Sequence, residues 1–157
     1  YVHDSLGTNA RMTEMQAAIG RVQLRKLPDW LAVRSANAGY LSNALTNHPL
    51  VEIPELPAGV THAWYKYYLM IRPEVSDPAA RRGHIIADLM ASGIPCGSGS
   101  CPDMSQELAL KPFGCSRDGE LASAHALGER TLALQVDHTL DQNDMKRIAD
   151  AVLRISL

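Results

Sequence analysis

The sequence LGTNARMTEMQ, residues 6–16, predicts the start of the helix around which the chain is organised. Thr13 and Gln16 have the spacing of a capping box, in which the hydroxyl accepts a hydrogen bond from a free backbone N–H and the glutamine side chain accepts one from the cap residue. The polar loop before this cap contains a glycine. Such a loop favours an anion, because backbone N–H groups and the helix dipole point towards it. Two interpretations stay open: an anion site, or a capped loop that binds nothing.

Length and composition favour a soluble protein without a nucleic-acid or membrane partner. The 157 residues suit one domain, or a small domain with a connecting element. The formal charge of −2 and the absence of a Lys/Arg run argue against a surface for phosphates. No apolar run approaches the roughly 18 residues of a membrane span, and no signal peptide opens the sequence. We therefore expect a cytoplasmic protein.

The cysteines and histidines predict neither a disulfide framework nor a metal site. Cys96, Cys101 and Cys115 form no C-x-x-C pair, so reduced thiols are expected. The six histidines are scattered and match no metal-ligand spacing.

The first helix is predicted to continue past a proline. Residues 13–27 carry a helical apolar pattern, Pro28 kinks the helix or starts a second one, and the pattern then continues to about Leu45. We expect one long, bent helical element. Because the chain opens at Tyr1 without a methionine, just before this helix, we expect a fragment of a longer protein. The apolar positions of the first part are Met15, Ala18, Ile19, Val22 and Leu27.

Strands and helices alternate in the remainder. Residues 50–53 predict an edge strand, and residues 61–71 predict the strongest strand, placed in the sheet interior. Further predictions are helices at 78–92, 103–110 and 120–129, strands at 94–96 and 131–136, a linker at 111–119 and a last helix capped near Asp141. We expect Ile85, Ile86, Leu89 and Met90 to point inward, and Met145, Ile148, Ala149, Val152 and Leu153 to form an apolar stripe. This order predicts an α/β fold, more closely an α+β small domain with a mainly antiparallel sheet covered by helices.

Several motifs in the expected order resemble one family. Residues 7–20, GTNARMTEMQAAIG, resemble the signature that joins the large and small domains of DegT/StrS-type sugar aminotransferases, which are fold-type-I pyridoxal phosphate enzymes. The similarity continues through Gln23-Leu24, Lys26-Leu27, His62-Ala63-Trp64-Tyr65, Gly93-Ile94-Pro95-Cys96, Gly99-Ser100-Cys101 and Leu127-Gly128-Glu129. It covers nearly the whole chain.

The resemblance implies a C-terminal portion of such an enzyme. Residues 1–48 would be the end of the large domain and the interdomain helix, and residues 49–157 the small domain. In this family a lysine of the large domain, upstream of this chain, holds the cofactor aldehyde. None of the lysines at positions 26, 66, 111 and 146 matches it. We therefore expect no catalytic residue here, no cofactor bound to the fragment, and no activity of the fragment alone.

Two residues of the opening loop correspond to family positions with known roles. Asn9 matches the residue that donates a hydrogen bond to the pyridoxal phosphate of the neighbouring subunit in a homodimer, the alternative being an Asx-type turn. Arg11 matches a position near the nucleotide-sugar substrate, where a guanidinium suits a diphosphate. Its alternative is a salt bridge at an interface or at the helix N-terminus.

The downstream loop departs from the family pattern. Many relatives have a His-Tyr pair facing the sugar nucleotide where this sequence has Gly99 and Ser100. Backbone N–H groups or the Ser100 hydroxyl are candidates for substrate contact, and a plain tight turn is the alternative. Cys101 is expected to be a packed thiol.

A second departure replaces the family's His-Pro-Thr-Leu with residues 137–140. Asp137 and His138 suggest an acid/base dyad, but we favour a structural role, with Thr139 and Asp141 as helix caps. His62 is expected to be an ordinary residue at a strand entry.

The resemblance implies transfer of an amino group from an amino acid, glutamate being the expected donor, to a nucleotide-linked keto sugar. Such a reaction serves amino-sugar and polysaccharide biosynthesis, including lipopolysaccharide. The alternatives are a dehydratase of the same family, which has histidine in place of the upstream lysine, and a non-catalytic binding module.

Overall fold

The computed structural model describes residues 11–99, 104, 108 and 121–155. Its sheet has the strand order β1-β2-β4-β3, and every neighbouring pair is antiparallel. This confirms the predicted α+β architecture with a small antiparallel sheet. The elements are α1 (Glu14–Leu45), β1 (Val51–Glu52), β2 (Tyr67–Ile71), α2 (Pro78–Ala91), β3 (Cys96–Gly97), α3 (Ala122–Arg130), β4 (Thr131–Leu134) and α4 (Gln142–Leu153).

Helix α1 begins at the predicted capping box. The Gln16 N–H donates to the Thr13 hydroxyl at 3.3 Å, and the Thr13 N–H donates to the Gln16 side-chain oxygen at 2.9 Å. The helix then runs for 32 residues with Pro28 inside it. Proline removes one backbone hydrogen bond but does not end the helix here. The prediction of one long helical element to Leu45 is confirmed.

The two halves of α1 have different surroundings. Its C-terminal half packs on α4, and its buried residues are Asn37, Ala38, Leu41 and Leu45. In its N-terminal half, from Glu14 to Asp29, no residue is buried. The apolar side chains there are exposed, among them Met15, Ile19, Val22, Leu24 and Leu27. No described residue therefore covers the predicted apolar face of the first part of the helix.

Strand β2 is shorter than predicted. It starts at Tyr67 instead of Thr61 because Trp64 has a φ of 48°, in the left-handed region that an extended strand cannot contain. Within β2, Tyr67, Leu69 and Ile71 point into the core and alternate with half-buried residues. The strand lies between β1 and β4, so its interior place in the sheet is confirmed.

Helix α2 starts at its predicted residue and ends within one residue of its predicted end, and α4 starts at its predicted cap. Asp141 caps α4, accepting hydrogen bonds from Asn143 and Asp144 at 2.8 and 3.0 Å. Gly93, with a φ of 72°, follows the end of α2.

In each of these helices, one residue that was predicted to face inward is exposed. Met90 and Leu153 are 55% and 50% exposed instead of buried. Each directly follows a buried residue, Leu89 or Val152, and successive residues lie about 100° apart around a helix.

The shorter elements are close to their predicted places. Strand β1 is at the sheet edge as expected, and β3, β4 and α3 are each within two residues of the predicted start. The predicted helix at 103–110 and the linker at 111–119 lie outside the described residues, apart from Met104 and Leu108. Within the described residues, no helix has both the length and the apolar character needed to cross a membrane.

His48 joins the loop after α1 to the end of α4 inside the core. Its ring is 2% exposed. The Nε2–H donates to the Val152 carbonyl at 3.1 Å, and Nδ1 accepts from the Leu50 N–H at 3.2 Å. Because Nδ1 accepts a hydrogen bond, this arrangement requires the neutral imidazole. Burial lowers the pKa of His48 below its ordinary value.

Candidate functional site

The predicted site residues lie at two separate places in the chain. Asn9 and Ser100 lie outside the described residues. Arg11 is exposed two residues before the Thr13 cap, at the N-terminal end of α1. Gly99 follows β3 at the opposite edge of the sheet from β1.

Gly99 is required by the packing of its loop. Its φ is 87°, a conformation that side chains with a Cβ rarely adopt. A Cβ at this position would lie 2.5 Å from the Tyr68 ring. The loop backbone therefore rests directly on that ring, and any larger residue would collide with it. A histidine at this position would therefore require a change in the loop.

A pocket of about 330 Å³ lies beside this loop, and we call it the glycine-loop pocket. Its walls include the apolar residues Met90 and Leu134. Its polar and small lining residues are Lys66, Cys96, Gly97, Gly99 and Gln135. The pocket combines residues from the start of β2, the end of β4 and the segment around β3, which the sequence order does not bring together.

Cys96 presents a protonated thiol to this pocket. Its side chain is half-buried, and burial raises the pKa of the thiol to about 11. A cysteine reacts as the thiolate, so a thiol with this pKa is a poor nucleophile at neutral pH. Cys101 and Cys115 lie outside the described residues.

Lys66 is the charged residue among the described residues that line the glycine-loop pocket. It is half-buried, and its Nζ lies 5.7 Å from the centroid of the Tyr65 ring, within cation–π range. None of the ion pairs among the described residues involves Lys66.

The loop after β4 contacts the middle of α1. The His138 ring stacks on Trp30 with centroids 4.3 Å apart. The Asn37 amide donates to the carbonyls of Asp137 and Leu140, both at 3.2 Å. Arg34 donates to the Trp64 carbonyl at 3.0 Å. The contacts of His138 and Asn37 hold this loop, and the contact of Arg34 holds the turn at Trp64, against the helix where its exposed half ends.

Asp137 and His138 do not form a dyad. The Asp137 carboxylate accepts hydrogen bonds from the Thr139 hydroxyl and N–H, and the hydroxyl contact is the main cause that lowers the pKa of Asp137. His138 Nδ1 is buried without a hydrogen-bond partner among the described residues. Thr139 thus closes a turn on Asp137. The prediction that Thr139 caps the last helix is wrong, while that for Asp141 is confirmed.

His62 has a local structural contact. Its Nδ1 accepts from the Trp64 N–H at 3.0 Å, and its ring meets the Trp64 ring edge-on at 4.5 Å. This contact supports the strained turn at Trp64.

A larger pocket of about 550 Å³ lies between α1, β1 and the turn at Trp64, and we call it the α1–β1 pocket. Its polar lining is Ser42, Thr46, Glu52, Glu55 and Arg72. Glu52 pairs with Arg130, which also donates to the Ile71 carbonyl at 2.7 Å. Sequence reasoning missed this pocket because residues far apart in the chain build it and no motif marks them.

The described residues do not form a complete pyridoxal phosphate site. Such a site needs a lysine for the cofactor aldehyde and an Asp or Arg partner for the pyridinium nitrogen. Among the described residues, those that line the glycine-loop pocket include Lys66 but no acidic or guanidinium group, and those that line the α1–β1 pocket include no lysine. Lys26 and Lys146 are exposed. Likewise, no group of three His, Cys, Asp or Glu side chains in the described part of the chain could hold a metal ion.

Known proteins resemble the chain over almost all of its length. It is 28% identical to dTDP-3-amino-3,4,6-trideoxy-alpha-D-glucose transaminase of Streptomyces venezuelae, with 97% of this chain and 38% of that protein covered. It is 27% identical to GDP-4-keto-6-deoxy-D-mannose 3-dehydratase of Yersinia pseudotuberculosis, with 88% and 34% covered. The chain thus spans between a third and two fifths of these relatives.

The fold matches a solved structure equally well. An aminotransferase from Psychrobacter cryohalolentis superposes with a TM-score of 0.79 at 36% identity, covering 97% of this chain and 40% of that one. The family model for DegT/DnrJ/EryC1/StrS aminotransferases matches residues 1–153. The chain therefore belongs to the DegT/DnrJ/EryC1/StrS aminotransferase family.

Proposed function

We propose that this chain is the C-terminal portion of a pyridoxal phosphate enzyme that aminates a nucleotide-linked keto sugar, with glutamate as the expected amino donor. The family match over residues 1–153 carries this proposal. The product serves amino-sugar and polysaccharide biosynthesis, such as that of lipopolysaccharide, in the cytoplasm. The intact enzyme supplies the lysine that this chain lacks at a matching position, and the cofactor supplies the electron sink for transfer of the amino group.

The exposed half of α1 supports the proposed missing large domain. Met15, Ile19 and Leu24 are 75%, 56% and 66% exposed. A short helical segment without tertiary contacts is marginally stable in water, and most helical stability in proteins comes from packing an apolar face. We propose that residues N-terminal to this chain cover that face. In this division, residues 1–48 belong to the large domain and interdomain helix, and residues 49–157 form the small domain.

The chain's own contribution is to complete the site of a homodimer. Asn9 donates a hydrogen bond to the cofactor phosphate of the neighbouring subunit. Arg11, exposed at the N-terminal end of α1, approaches the substrate diphosphate. Gly99 and Ser100 form part of the substrate wall, and the backbone at Gly99 rests on the Tyr68 ring.

A sugar dehydratase is the second candidate, because one of the relatives is a GDP-4-keto-6-deoxy-D-mannose 3-dehydratase. The residue at the upstream cofactor position separates the two activities: lysine for amination, histidine for dehydration. A non-catalytic module with the same small-domain architecture is the third.

The test uses both the full-length protein and the chain alone. The full-length protein should transfer an amino group from glutamate to a nucleotide-linked keto sugar, and the chain alone should give no Schiff-base absorbance with pyridoxal phosphate. Dehydration without amination would favour the second candidate. No reaction and no cofactor binding by the full-length protein would favour the third. Schiff-base formation by this chain would overturn the proposal that its lysines are not the cofactor lysine.

Asn9 has a separate test in the full-length dimer. Asn9→Ala should weaken retention of the cofactor, because it removes a neutral donor to the phosphate. Unchanged affinity for pyridoxal phosphate would reject this role for Asn9.

A further inference from the structure

We propose that the glycine-loop pocket binds an oxyanionic group of a substrate, with Lys66 as the charged donor. This inference rests on the proposed function for the identity of the substrates. It adds a binding residue, Lys66, to a wall that otherwise consists of the loop at Gly99.

The charge of the pocket is unbalanced. Lys66 is one of the residues that line the pocket, and none of the lining residues in the part of the chain that the structure describes is acidic. The ion pairs of the described residues all involve other groups. Cys96 adds no negative charge, because burial keeps its thiol protonated at neutral pH. An ammonium beside apolar walls interacts more strongly with an anion than it would in open water.

The size and the remaining donors also suit an oxyanion. About 330 Å³ accommodates a phosphate or a carboxylate together with the atoms attached to it. Gln135, which is exposed, also lines the pocket, and its side chain has an amide N–H₂ that can donate. Gly97 has no side chain to block a close approach to the loop backbone, a property that phosphate-binding loops use.

Two groups on the substrates of the proposed reaction are oxyanions. One is the diphosphate of the nucleotide-linked sugar, and the other is a carboxylate of the amino donor. Lysine binds either as a point charge with three rotatable donors, so the structure of the side chain does not choose between them. The experiment does so through separate measurements.

The variants are Lys66→Met, which removes the charge at similar length, and Lys66→Arg, which keeps it, both in the full-length protein. Lys146→Met is the matched control, since Lys146 is exposed on α4 outside the pocket. Calorimetry with UDP, dTDP and GDP measures nucleotide affinity without any need for turnover. Steady-state kinetics then gives KM for the nucleotide-linked sugar and for glutamate.

Lys66→Met should weaken the binding of one of the two anions by about ten- to a hundredfold, the usual effect of losing a hydrogen bond to a charged group. Loss of nucleotide affinity identifies the diphosphate, and a raised KM for glutamate alone identifies the carboxylate. Lys66→Arg should retain most of the affinity, and Lys146→Met all of it.

Unchanged nucleotide affinity and unchanged KM values in Lys66→Met would overturn the inference. A protein that binds nucleotide through Lys66 but transfers no amino group would instead contradict the proposed function while supporting the pocket.

Discussion

The two halves of α1 share one helix but differ in what surrounds them. In the C-terminal half, Leu41 and Leu45 are fully buried against the small-domain core. In the N-terminal half, Leu24 and Ile19 are as apolar but face outward. The change occurs near Trp30, where the helix first meets the loop after β4. The apolar pattern of a helix thus predicts a face that packs on something, and the structure shows which part of that face the described residues cover.

Leu41→Ala should have the largest effect on stability. Truncation of a fully buried leucine removes transfer free energy and leaves a cavity, so we expect a loss of about 2–5 kcal/mol in the free energy of unfolding. Leu24→Ala is the matched substitution in the exposed half and should change it by less than about 0.5 kcal/mol in this chain. Urea denaturation of both variants measures the difference.

The same pair extends the comparison to the full-length protein. If the large domain covers the first half of α1, Leu24→Ala should lower the free energy of unfolding of the full-length protein. Leu41→Ala should lower it in both proteins. Equal costs for the two variants in the isolated chain would contradict the difference between the halves.

The local signals in the sequence predicted most of the fold. The Thr13–Gln16 capping box marks the start of α1, and Gly93 marks the stop after α2 because both effects act within a few residues. The start of β2 could not be predicted in this way. The left-handed Trp64 is supported by Arg34, thirty residues earlier in the chain, through the hydrogen bond to the Trp64 carbonyl.

Less of the candidate site than of the fold could be predicted from the sequence. The family resemblance pointed to Gly99, but the reason for glycine is the Tyr68 ring, which only the sheet brings to that position. Lys66 and Gln135 had no motif to mark them. They line one pocket because the start of β2 lies beside the end of β4 in an antiparallel pair.

His48 gives the second prediction, because it anchors the buried half of α1 to α4. His48→Ala should cost about 1–3 kcal/mol, since it leaves the buried Leu50 N–H without an acceptor and the Val152 carbonyl without this donor. Chemical denaturation at pH 7 measures this loss. A cost below about 0.5 kcal/mol would show that water replaces both contacts.

The same residue makes stability depend on pH. The folded pKa of His48 is lowered from the ordinary 6.5, so the unfolded chain binds the proton more tightly. The stabilisation is therefore complete above about pH 6.5 and is lost as the pH falls through the folded pKa. His48→Gln, which does not titrate, should show a smaller loss of stability between pH 7 and pH 5. Parallel pH profiles for the two proteins would reject this role.

The third prediction concerns the contact between His138 and Trp30 at the boundary between the halves, whose loss should have a smaller effect on stability. His138→Ala removes the ring that stacks on Trp30 and should cost about 1 kcal/mol, the typical value of an aromatic pair beyond its buried area. We also expect faster amide hydrogen exchange in α1 before Trp30. His84→Ala, on the exposed surface of α2, is the control. Unchanged exchange in that segment would show that other contacts, such as those of Arg34, set the boundary.

Thr13→Ala should have the smallest and most local effect. It removes the side-chain acceptor of the capping box, which is worth about 1 kcal/mol to the helix that it caps. Because the first half of α1 has no buried residue, this loss should appear as fraying and not as a lower stability of the core. Amide exchange in the first turns should accelerate while the urea midpoint stays constant, and Ser35→Ala, at an exposed position in the same helix, should change neither. A lower urea midpoint for Thr13→Ala would mean that the exposed half folds cooperatively with the core, and the contrast between the two halves would then hold for burial but not for stability.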